Sequence, residues 1–282
     1  MDTQRKKRIK KIVQHILMII FTLIMLYPLA WMVMSSFKQS SDVFVDAHSL
    51  IPKVWAFENF SEGWQGFGGI TFTTFFKNSF VITVISTIGS VISSTFIAYG
   101  FARIKFTGKK MWFVLMMLTL MLPYEMVMIP QYVMFSGFGW IDTYLPLILP
   151  TFFGVPFFIF LIMQFIRTIP TELDQAAKID GCNTFSIFFR IIVPLVVPAM
   201  MTAAIFSFYW RWDDFMGPLI YLVTPEKYPV SLALKLFSDP SAVTNWGAMF
   251  AMTTVSILPV FLIFFIFQRY IVDGISTSGL KS

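Results

Sequence analysis

Five long stretches of this sequence contain no aspartate, glutamate, lysine or arginine, and they limit the folds open to the chain. The runs hold 26, 25, 24, 20 and 29 residues. A helix needs about 20 residues to cross the roughly 30 Å of membrane hydrocarbon, so each run is long enough. The bounding residues are Lys11 and Lys38, Lys77 and Arg103, Asp142 and Arg167, Arg190 and Arg211, and Asp239 and Arg269. We therefore predict a chain folded largely within a membrane.

A sixth apolar segment, residues 111–135, contains Glu125, Pro123 and Pro130. Such residues are tolerated at membrane depth only where the helix faces protein or a wet cavity. The predicted fold class is an all-α membrane protein with six transmembrane helices. The expected spans are about 12–36, 78–102, 111–135, 143–166, 193–220 and 247–269. Residues 1–11 form a basic N-terminus, and residues 167–192 form a loop.

The distribution of basic residues predicts the orientation of these spans. With the N-terminus in the cytoplasm, 15 of the 21 lysines and arginines fall on the cytoplasmic side. Cytoplasmic flanks carry such an excess, so we expect a multi-pass protein of the cytoplasmic (inner) membrane with both termini inside. The first span is too long for the apolar core of a signal peptide. The net charge of +6 needs no nucleic acid, because anionic lipid lies beside these flanks.

The sequence offers no catalytic centre. Its single cysteine, Cys182, excludes an internal disulfide and a cysteine-built metal site, and His15 and His48 lie far apart. No Gly-x-x-x-x-Gly-Lys-Ser/Thr segment is present to bind ATP, and no Gly-x-Ser-x-Gly or His-Glu-x-x-His occurs. We expect no enzyme activity, no metal and no cofactor bound by this chain itself.

The loop at 167–192 contains a short helix that does not belong in a bilayer. Thr171 is positioned to cap its N-terminus, Glu172 and Asp174 place negative charge in its first turn, and Gly181 ends it. Four residues are expected to share one face, where two alanines let a partner surface approach closely. The members of this face are Leu173, Ala176, Ala177 and Asp180.

Residues 169–181, with the core Gln175-Ala176-Ala177 and then Asp180-Gly181, resemble the EAA coupling loop of ABC importer permeases. The resemblance implies that this loop contacts a separate ATPase through Glu172, Asp174, Gln175, Ala176, Ala177, Asp180 and Gly181. Gln175 departs from the family, which has a glutamate there. An amide keeps hydrogen-bonding capacity without charge, so the charged role falls to Glu172 or Asp174, or the contact is weaker.

Further segments extend the resemblance over roughly residues 12–282. They are Lys77-Asn78-Ser79, Ile129-Pro130, Trp210-Arg211-Trp212-Asp213-Asp214-Phe215, Pro218-Leu219-Ile220, Asn245-Trp246-Gly247 and Gln268 to Gly274. Their order is similar to that in maltose-type carbohydrate ABC permeases, and specifically to the second of two permease subunits. The resemblance implies a type I ABC importer permease fold and a sugar or oligosaccharide as cargo. It also implies a second permease, two ATPases that bind ATP and Mg, and an extracytoplasmic solute-binding protein.

Charged residues inside the spans mark a candidate substrate path. Arg211 can pair with Asp214, or across helices with Glu125, at a similar membrane depth. Asp213, Asp214 and Gly217 follow Trp210 at i+3, i+4 and i+7. On a helix this spacing would place the four residues on one face that could line a cavity. The candidates are Glu125, Trp210, Arg211, Asp213, Asp214 and Gly217. A buried ion pair that only fixes packing, with Trp210 and Trp212 as interfacial anchors, is an equal alternative.

Two other functions compete with an importer permease. An ion-coupled secondary transporter would use the same intramembrane charges, but no inverted repeat is visible. An intramembrane enzyme would need Asp213 and Asp214 to act together, yet neighbours on a helix point about 100° apart. The aromatic-rich segment 38–77 is either an interfacial anchor or a landing surface for an external partner. Which sugar is carried cannot be deduced from these residues.

Overall fold

The computed structural model describes the backbone of residues 2–237 and 245–279, and the side chains of residues 7–237 and 245–270. Within these ranges every regular element is helical, and the only pairing of the β type is one isolated bridge between Phe67 and Ile70. The prediction of an all-α chain is therefore confirmed over the described part.

Fourteen α-helices follow one another among the described residues. They are α1 (Asp2–Ser35), α2 (Asp42–Val45), α3 (Glu58–Gln65), α4 (Phe72–Arg103), α5 (Lys109–Thr119), α6 (Tyr124–Gly137), α7 (Leu145–Ile148), α8 (Pro156–Thr168), α9 (Glu172–Ile179), α10 (Thr184–Ile187), α11 (Val193–Trp212), α12 (Met216–Tyr221), α13 (Val230–Phe237) and α14 (Trp246–Gly279). Tighter 3₁₀ turns cover Leu149–Phe153 and Pro225–Lys227, and a wider π turn covers Phe188–Ile192.

Five helical segments are long and apolar enough to cross a membrane. They are Lys7–Ser35, Phe72–Arg103, Leu145–Thr168, Thr184–Trp212 and Trp246–Tyr270. Each overlaps one of the five charge-free runs, because a sustained apolar run is the strongest sequence signal of a spanning helix. They overlap the predicted first, second, fourth, fifth and sixth spans, with different ends.

The predicted third span is not one straight helix. Helices α5 and α6 meet at a bend of 99°, so they form a sixth span only if the bent pair is counted as one. The cause is Pro123, which has an extended backbone (ψ 137°) directly before α6. Proline also forces the residue before it away from helical geometry. Pro130 lies inside α6 without ending it.

The predicted span at 193–220 also breaks, because α11 ends at Trp212 and α12 begins at Met216. Pro218 has no N–H to donate to the carbonyl of Asp214, four residues earlier. Ser231 donates its Oγ hydrogen to that carbonyl instead, at 2.7 Å. The carboxylate of Asp214 accepts from the Gly217 N–H at 3.0 Å, which stabilises a turn in place of a helix.

The chain divides into two compact units, and the first comprises Met1–Phe72 and Leu234–Ile257. Asn59 is buried there and donates to the carbonyls of Ser36 (2.9 Å) and Lys38 (2.8 Å). Gly247 lies against Asn59 so closely that an added Cβ would stand 2.5 Å from its Nδ2. Glycine at 247 therefore permits the start of α14 to pack on α3 within this unit.

The second unit comprises Thr73–Ala233 and Leu258–Ser282. Its main core lies between α4, α8, α9 and α11, and α8 contributes one continuous buried face. The members of that face are Phe158, Ile159, Ile162, Met163 and Ile166. Ser90 on α4 and Ser207 on α11 share a hydrogen bond of 2.8 Å between their hydroxyls, so polar contact also joins these helices.

A loop at residues 222–230 in the second unit, here called the clasped loop, is fixed by three anchors outside it. Asn78 donates to the carbonyls of Glu226 (2.8 Å) and Tyr228 (3.0 Å). Ser79 Oγ accepts from the Val230 N–H at 2.8 Å. The third anchor is Asp142. The Lys77-Asn78-Ser79 segment singled out in the sequence thus includes two residues that fix backbone groups of a distant loop.

Asp142 binds the clasped loop through both carboxylate oxygens. Oδ1 accepts from the N–H groups of Val223 (3.0 Å) and Thr224 (2.9 Å). Oδ2 accepts from Thr224 Oγ1 (2.6 Å) and from Lys227 Nζ (2.7 Å). The Lys227 ammonium, followed by the hydrogen bonds from Thr224 and Val223, holds the pKa of the Asp142 carboxyl well below its usual range. This carboxylate is therefore ionised at every physiological pH.

Candidate functional site

Helix α9 ends as its sequence predicts. Gly181 has φ +82°, its N–H donates to Lys178 O (3.1 Å), and the N–H of Cys182 donates to Ala177 O (2.9 Å). These two bonds form a Schellman motif, in which a left-handed residue closes a helix. The N-terminus differs from prediction, because Thr171 has helical backbone angles (φ −71°, ψ −18°) and its side chain caps nothing.

A buried ion pair attaches α9 to the end of α4. Arg103 Nε lies 2.9 Å from Asp174 Oδ2, and the two side chains are only 8% and 13% exposed. The N–H of Nε is not aligned with the carboxylate, so the contact is electrostatic more than a directed hydrogen bond. Arg103 Nη2 also donates to Ile169 O at 2.6 Å. Asp174 therefore attaches α9 to the end of α4 from the buried side and does not face outward.

Ala177 is likewise turned inward, and its 6% exposure places it in the main core of the second unit. The expectation that Ala177 belongs to the partner-facing side is wrong. Asp174 and Ala177 are three residues apart, so both lie on the face that packs against the chain. Which face of so short a helix is buried depends on its neighbours, and the sequence of α9 alone does not specify them.

The opposite side of α9 is exposed. It carries Glu172, Gln175, Ala176 and Ile179. Ile179 is 87% exposed, although a β-branched apolar side chain gains from leaving water. Ile179 was not among the predicted site residues, although a large apolar residue flanked by the charged Lys178 and Asp180 at the end of a loop helix is a signal for a contact surface. Leu173, at 44% exposure, and Asp180 lie at the edges of this surface.

A cavity of about 370 Å³ in the second unit contains part of the predicted substrate path. Its lining residues are Ser90, Tyr124, Val155, Phe158, Ser207, Trp210, Arg211 and Asp214. Trp210 stacks on Phe158, with ring centroids 5.3 Å apart and planes inclined by 20°. The cavity therefore brings together an aromatic wall, the hydroxyl groups of Ser90, Tyr124 and Ser207, and a pair of opposite charges.

Arg211 Nη1 lies 3.7 Å from Asp214 Oδ2, which is an ion pair at a long distance. Of the two pairings expected for Arg211, the structure contains the one with Asp214. Glu125 is exposed and is not among the residues that line the cavity. A long ion pair leaves both groups with free hydrogen-bonding positions toward the cavity.

The predicted stripe from Trp210 to Gly217 is wrong, because α11 ends before it is complete. Asp213 is exposed at the helix end, and Gly217 is buried in α12. An added Cβ at Gly217 would stand 2.7 Å from Asp214 Oδ2 and 2.9 Å from Leu147 Cδ2. Glycine at 217 therefore leaves the space that the Asp214 carboxylate occupies. Trp212 is 6% exposed and packs on Phe80 at 4.9 Å, so it is a core residue and no interfacial anchor.

No cluster of three or more histidine, cysteine, aspartate or glutamate side chains suited to a metal ion is found among the described residues.

Comparison with known proteins gives consistent results. Residues 90–277 match the family described as binding-protein-dependent transport system inner membrane component. The chain is 36% identical over 267 residues to the probable ABC transporter permease protein YurM of Bacillus subtilis, covering 94% of this chain and 87% of that protein. It is 34% identical to the arabinooligosaccharides transport system permease protein AraQ of the same organism, covering 92% of each.

A further relative is the diacetylchitobiose uptake system permease protein NgcG of Streptomyces coelicolor, with 29% identity over 95% of this chain and 88% of that protein. Among solved structures, a chain of a bacterial ABC transporter involved in the import of the acidic polysaccharide alginate matches with a TM-score of 0.82. The match covers 94% of this chain and 98% of that chain at 23% identity, so it shows the fold alone. The predicted type I ABC importer permease fold is confirmed by this likeness.

Proposed function

Because the chain belongs to the family of binding-protein-dependent transport system inner membrane components, we propose that it forms half of the translocation path of an ATP-driven importer of carbohydrate. It is a membrane permease subunit and not an enzyme, and the ATPase of such an importer is a separate subunit. Sugar or oligosaccharide cargo is supported by the relatives named for arabinooligosaccharides and diacetylchitobiose.

The observation that carries this proposal is the geometry of α9. A short helix is fixed to the end of a long apolar helix by the Arg103–Asp174 pair, while an apolar and polar surface around Ile179 faces away from the chain. An ATPase subunit that binds this surface would move the Arg103 end of α4 with it. The surface would thereby link hydrolysis to the helices that line the cavity.

Glu172 supplies the charge that Gln175 lacks. The two residues are one turn apart on the exposed side of α9, whereas Asp174 is committed to Arg103. A basic group on the ATPase can therefore pair with the Glu172 carboxylate while the Gln175 amide hydrogen-bonds beside it. Of Glu172 and Asp174, the two carboxylates that could take the charged role, we therefore assign it to Glu172.

The remaining assembly follows from the same role. The partners are a second, homologous permease, two ATPase subunits that bind ATP and Mg, and an extracytoplasmic solute-binding protein. Both termini and α9 lie in the cytoplasm, as the distribution of basic residues favours. This chain binds no cofactor of its own.

The cavity beside Trp210 is where this subunit contacts sugar. Aromatic faces stack on the C–H faces of sugar rings, and the Ser90 and Ser207 hydroxyls together with the Arg211–Asp214 pair offer donors and acceptors for sugar hydroxyls. The other three candidates do not line the cavity. Gly217 leaves space for the Asp214 carboxylate, and Glu125 and Asp213 are exposed.

Transport assays test the assignment. Vesicles that contain the whole complex should take up oligosaccharide only with ATP, the ATPase and the solute-binding protein present. Ion-gradient-driven uptake by this chain alone would instead identify a secondary transporter.

Within the complex, Ile179→Asp should reduce the retention of the ATPase subunit on the purified permease pair. Val45→Asp is the matched control, because Val45 is exposed to the same degree (86%) but lies in α2 of the other unit. Equal ATPase retention in both variants would reject the role of α9.

A further inference from the structure

A groove of about 580 Å³ lies in the second unit beside α5. One face of α5 forms a wall, since Trp112, Leu115 and Met116 recur with helical spacing and Thr119 completes the turn. The facing walls come from α4 and α8 and include Phe101 and Ile159. Thr119 lies seven positions after Trp112, so the groove runs for roughly 10 Å along α5 at about 1.5 Å per residue.

Two features of the fold leave this groove open. Gly154 lines it with a backbone at φ +91°, where a side chain would be strained and an added Cβ would stand 2.5 Å from Ile97 Cδ1. The chain also bends by 99° after α5, so α6 does not continue along α4 and α8. An apolar groove on a membrane-spanning segment is filled by apolar groups, and a lipid acyl chain is as apolar as the side chains that line it.

Basic residues flank one end of the groove in the sequence. Lys105 directly precedes the lining residue Phe106, and Lys109 lies one helical turn before the lining residue Trp112. Lys105 is exposed, whereas Lys110 falls on the side of α5 opposite the lining residues. Lys109 Nζ donates one hydrogen bond, to Ile104 O at 3.0 Å, and an ammonium has two further protons to donate.

This cationic end has no acidic residue near it in the sequence. The chain contains no aspartate or glutamate between Glu62 and Glu125. Arg103, at the end of α4, already pairs with Asp174, so that carboxylate is committed elsewhere. Trp112 stands between the lysines and the apolar walls, a position that tryptophan favours at the boundary of headgroups and hydrocarbon.

We propose that the groove binds an anionic phospholipid, with an acyl chain along α5 and the phosphate on Lys105 and Lys109. The apolar walls alone would accept any lipid, and the uncompensated cations select a negatively charged headgroup. The site would hold a lipid as a fixed component of the second unit, filling space that the α5–α6 bend leaves beside α4.

The acyl-chain half of the proposal is tested by photolabelling the assembled transporter in phosphatidylcholine vesicles that contain phosphatidylglycerol with a photoreactive acyl chain. Label should map to the peptide that carries α5. Leu115→Trp fills the groove and should remove most of that label. Leu118→Trp, an exposed position of α5 outside the lining, should retain it.

The headgroup half is tested by replacing Lys105 and Lys109 with glutamine. Labelling by phosphatidylglycerol should fall by about fivefold per lysine, while labelling by the phosphatidylcholine analogue stays constant. The matched double replacement of Lys7 and Lys10 should leave the α5 label unchanged.

Equal α5 labelling by both lipids would overturn the selection of an anionic headgroup. Absence of lipid label, or capture of another transporter subunit by a photo-crosslinking residue in place of Leu115, would overturn the lipid site. None of these readouts requires transport, so their failure is separate from failure of the proposed function.

Discussion

Asp174→Asn should lower the free energy of unfolding far more than its small chemical change suggests. The variant keeps the shape of the side chain but removes its charge, and Arg103 then remains 8% exposed with no carboxylate beside it. Its Nη2 still donates to Ile169 O. A guanidinium cannot lose its charge in compensation, because it stays protonated in proteins.

Breaking a buried pair by removing one partner costs about 3–5 kcal/mol. We expect the lower end, about 3 kcal/mol, because the asparagine oxygen still accepts a hydrogen bond and the original contact is not well aligned. At about 1.4 kcal/mol per factor of ten, this corresponds to a change of roughly 150-fold in the folding equilibrium.

The assay is unfolding of the purified permease in mixed micelles titrated with SDS and followed by far-ultraviolet circular dichroism. Glu172→Gln is the matched control, since it makes the same chemical change two residues away on the exposed side of α9. It should alter the free energy of unfolding by no more than about 0.5 kcal/mol.

The double variant Arg103→Met, Asp174→Leu separates charge from packing. Replacing both members of a buried pair by apolar groups is often neutral, so this protein should recover most of the loss. If Asp174→Asn and Glu172→Gln unfold at the same SDS fraction, or if the double variant is no better than the single one, the pair does not anchor α9 and the reasoning fails.

Three further predictions concern other parts of the chain. Gly181→Val should lower retention of the ATPase subunit, because a β-branched residue at φ +82° is strained by about 1–3 kcal/mol. Gly181→Asn should retain more of the ATPase subunit, since asparagine tolerates this backbone region. Equal retention by the two variants would count against the Schellman motif at the end of α9. Trp210→Ala should alter oligosaccharide uptake by a complex that keeps its ATPase activity, and unchanged uptake would remove Trp210 from the path. Because the pKa of Asp142 is lower in the folded than in the unfolded protein, its ionised form stabilises the fold above the unfolded pKa, and this stability is lost as pH falls through the folded pKa. Asp142→Asn should therefore flatten the acid side of the curve of unfolding free energy against pH, below about pH 4. Identical curves for the two proteins would contradict the role of Asp142 in holding the clasped loop.

Local sequence patterns predicted what depends on local structure. The apolar runs predicted five helices because each run specifies its own element, and Gly181 predicted the end of α9 because a left-handed residue closes a helix wherever it stands. Charged residues inside apolar segments led to Trp210, Arg211 and Asp214, which the structure brings to one cavity.

Features that depend on distant neighbours were missed. The partner of Asp174 is Arg103, which lies two spans earlier in the chain, and nothing within α9 indicates it. The inward position of Ala177 has the same origin. The break after Trp212 has a signal in the sequence, because Pro218 has no N–H to donate to the carbonyl of Asp214. The prediction of one continuous span over 193–220 did not take this proline into account.

The clasped loop has a consequence for engineering. Asn78 and Ser79 contact only its backbone groups, and Asp142 contacts its side chains only at Thr224 and Lys227. The path of residues 222–230 is therefore encoded mainly outside the loop. The buried side chains of Leu222, Pro229 and Val230 must stay, whereas the exposed positions Val223, Pro225 and Glu226 can be exchanged, and libraries there should change the surface of the loop while its backbone keeps its path.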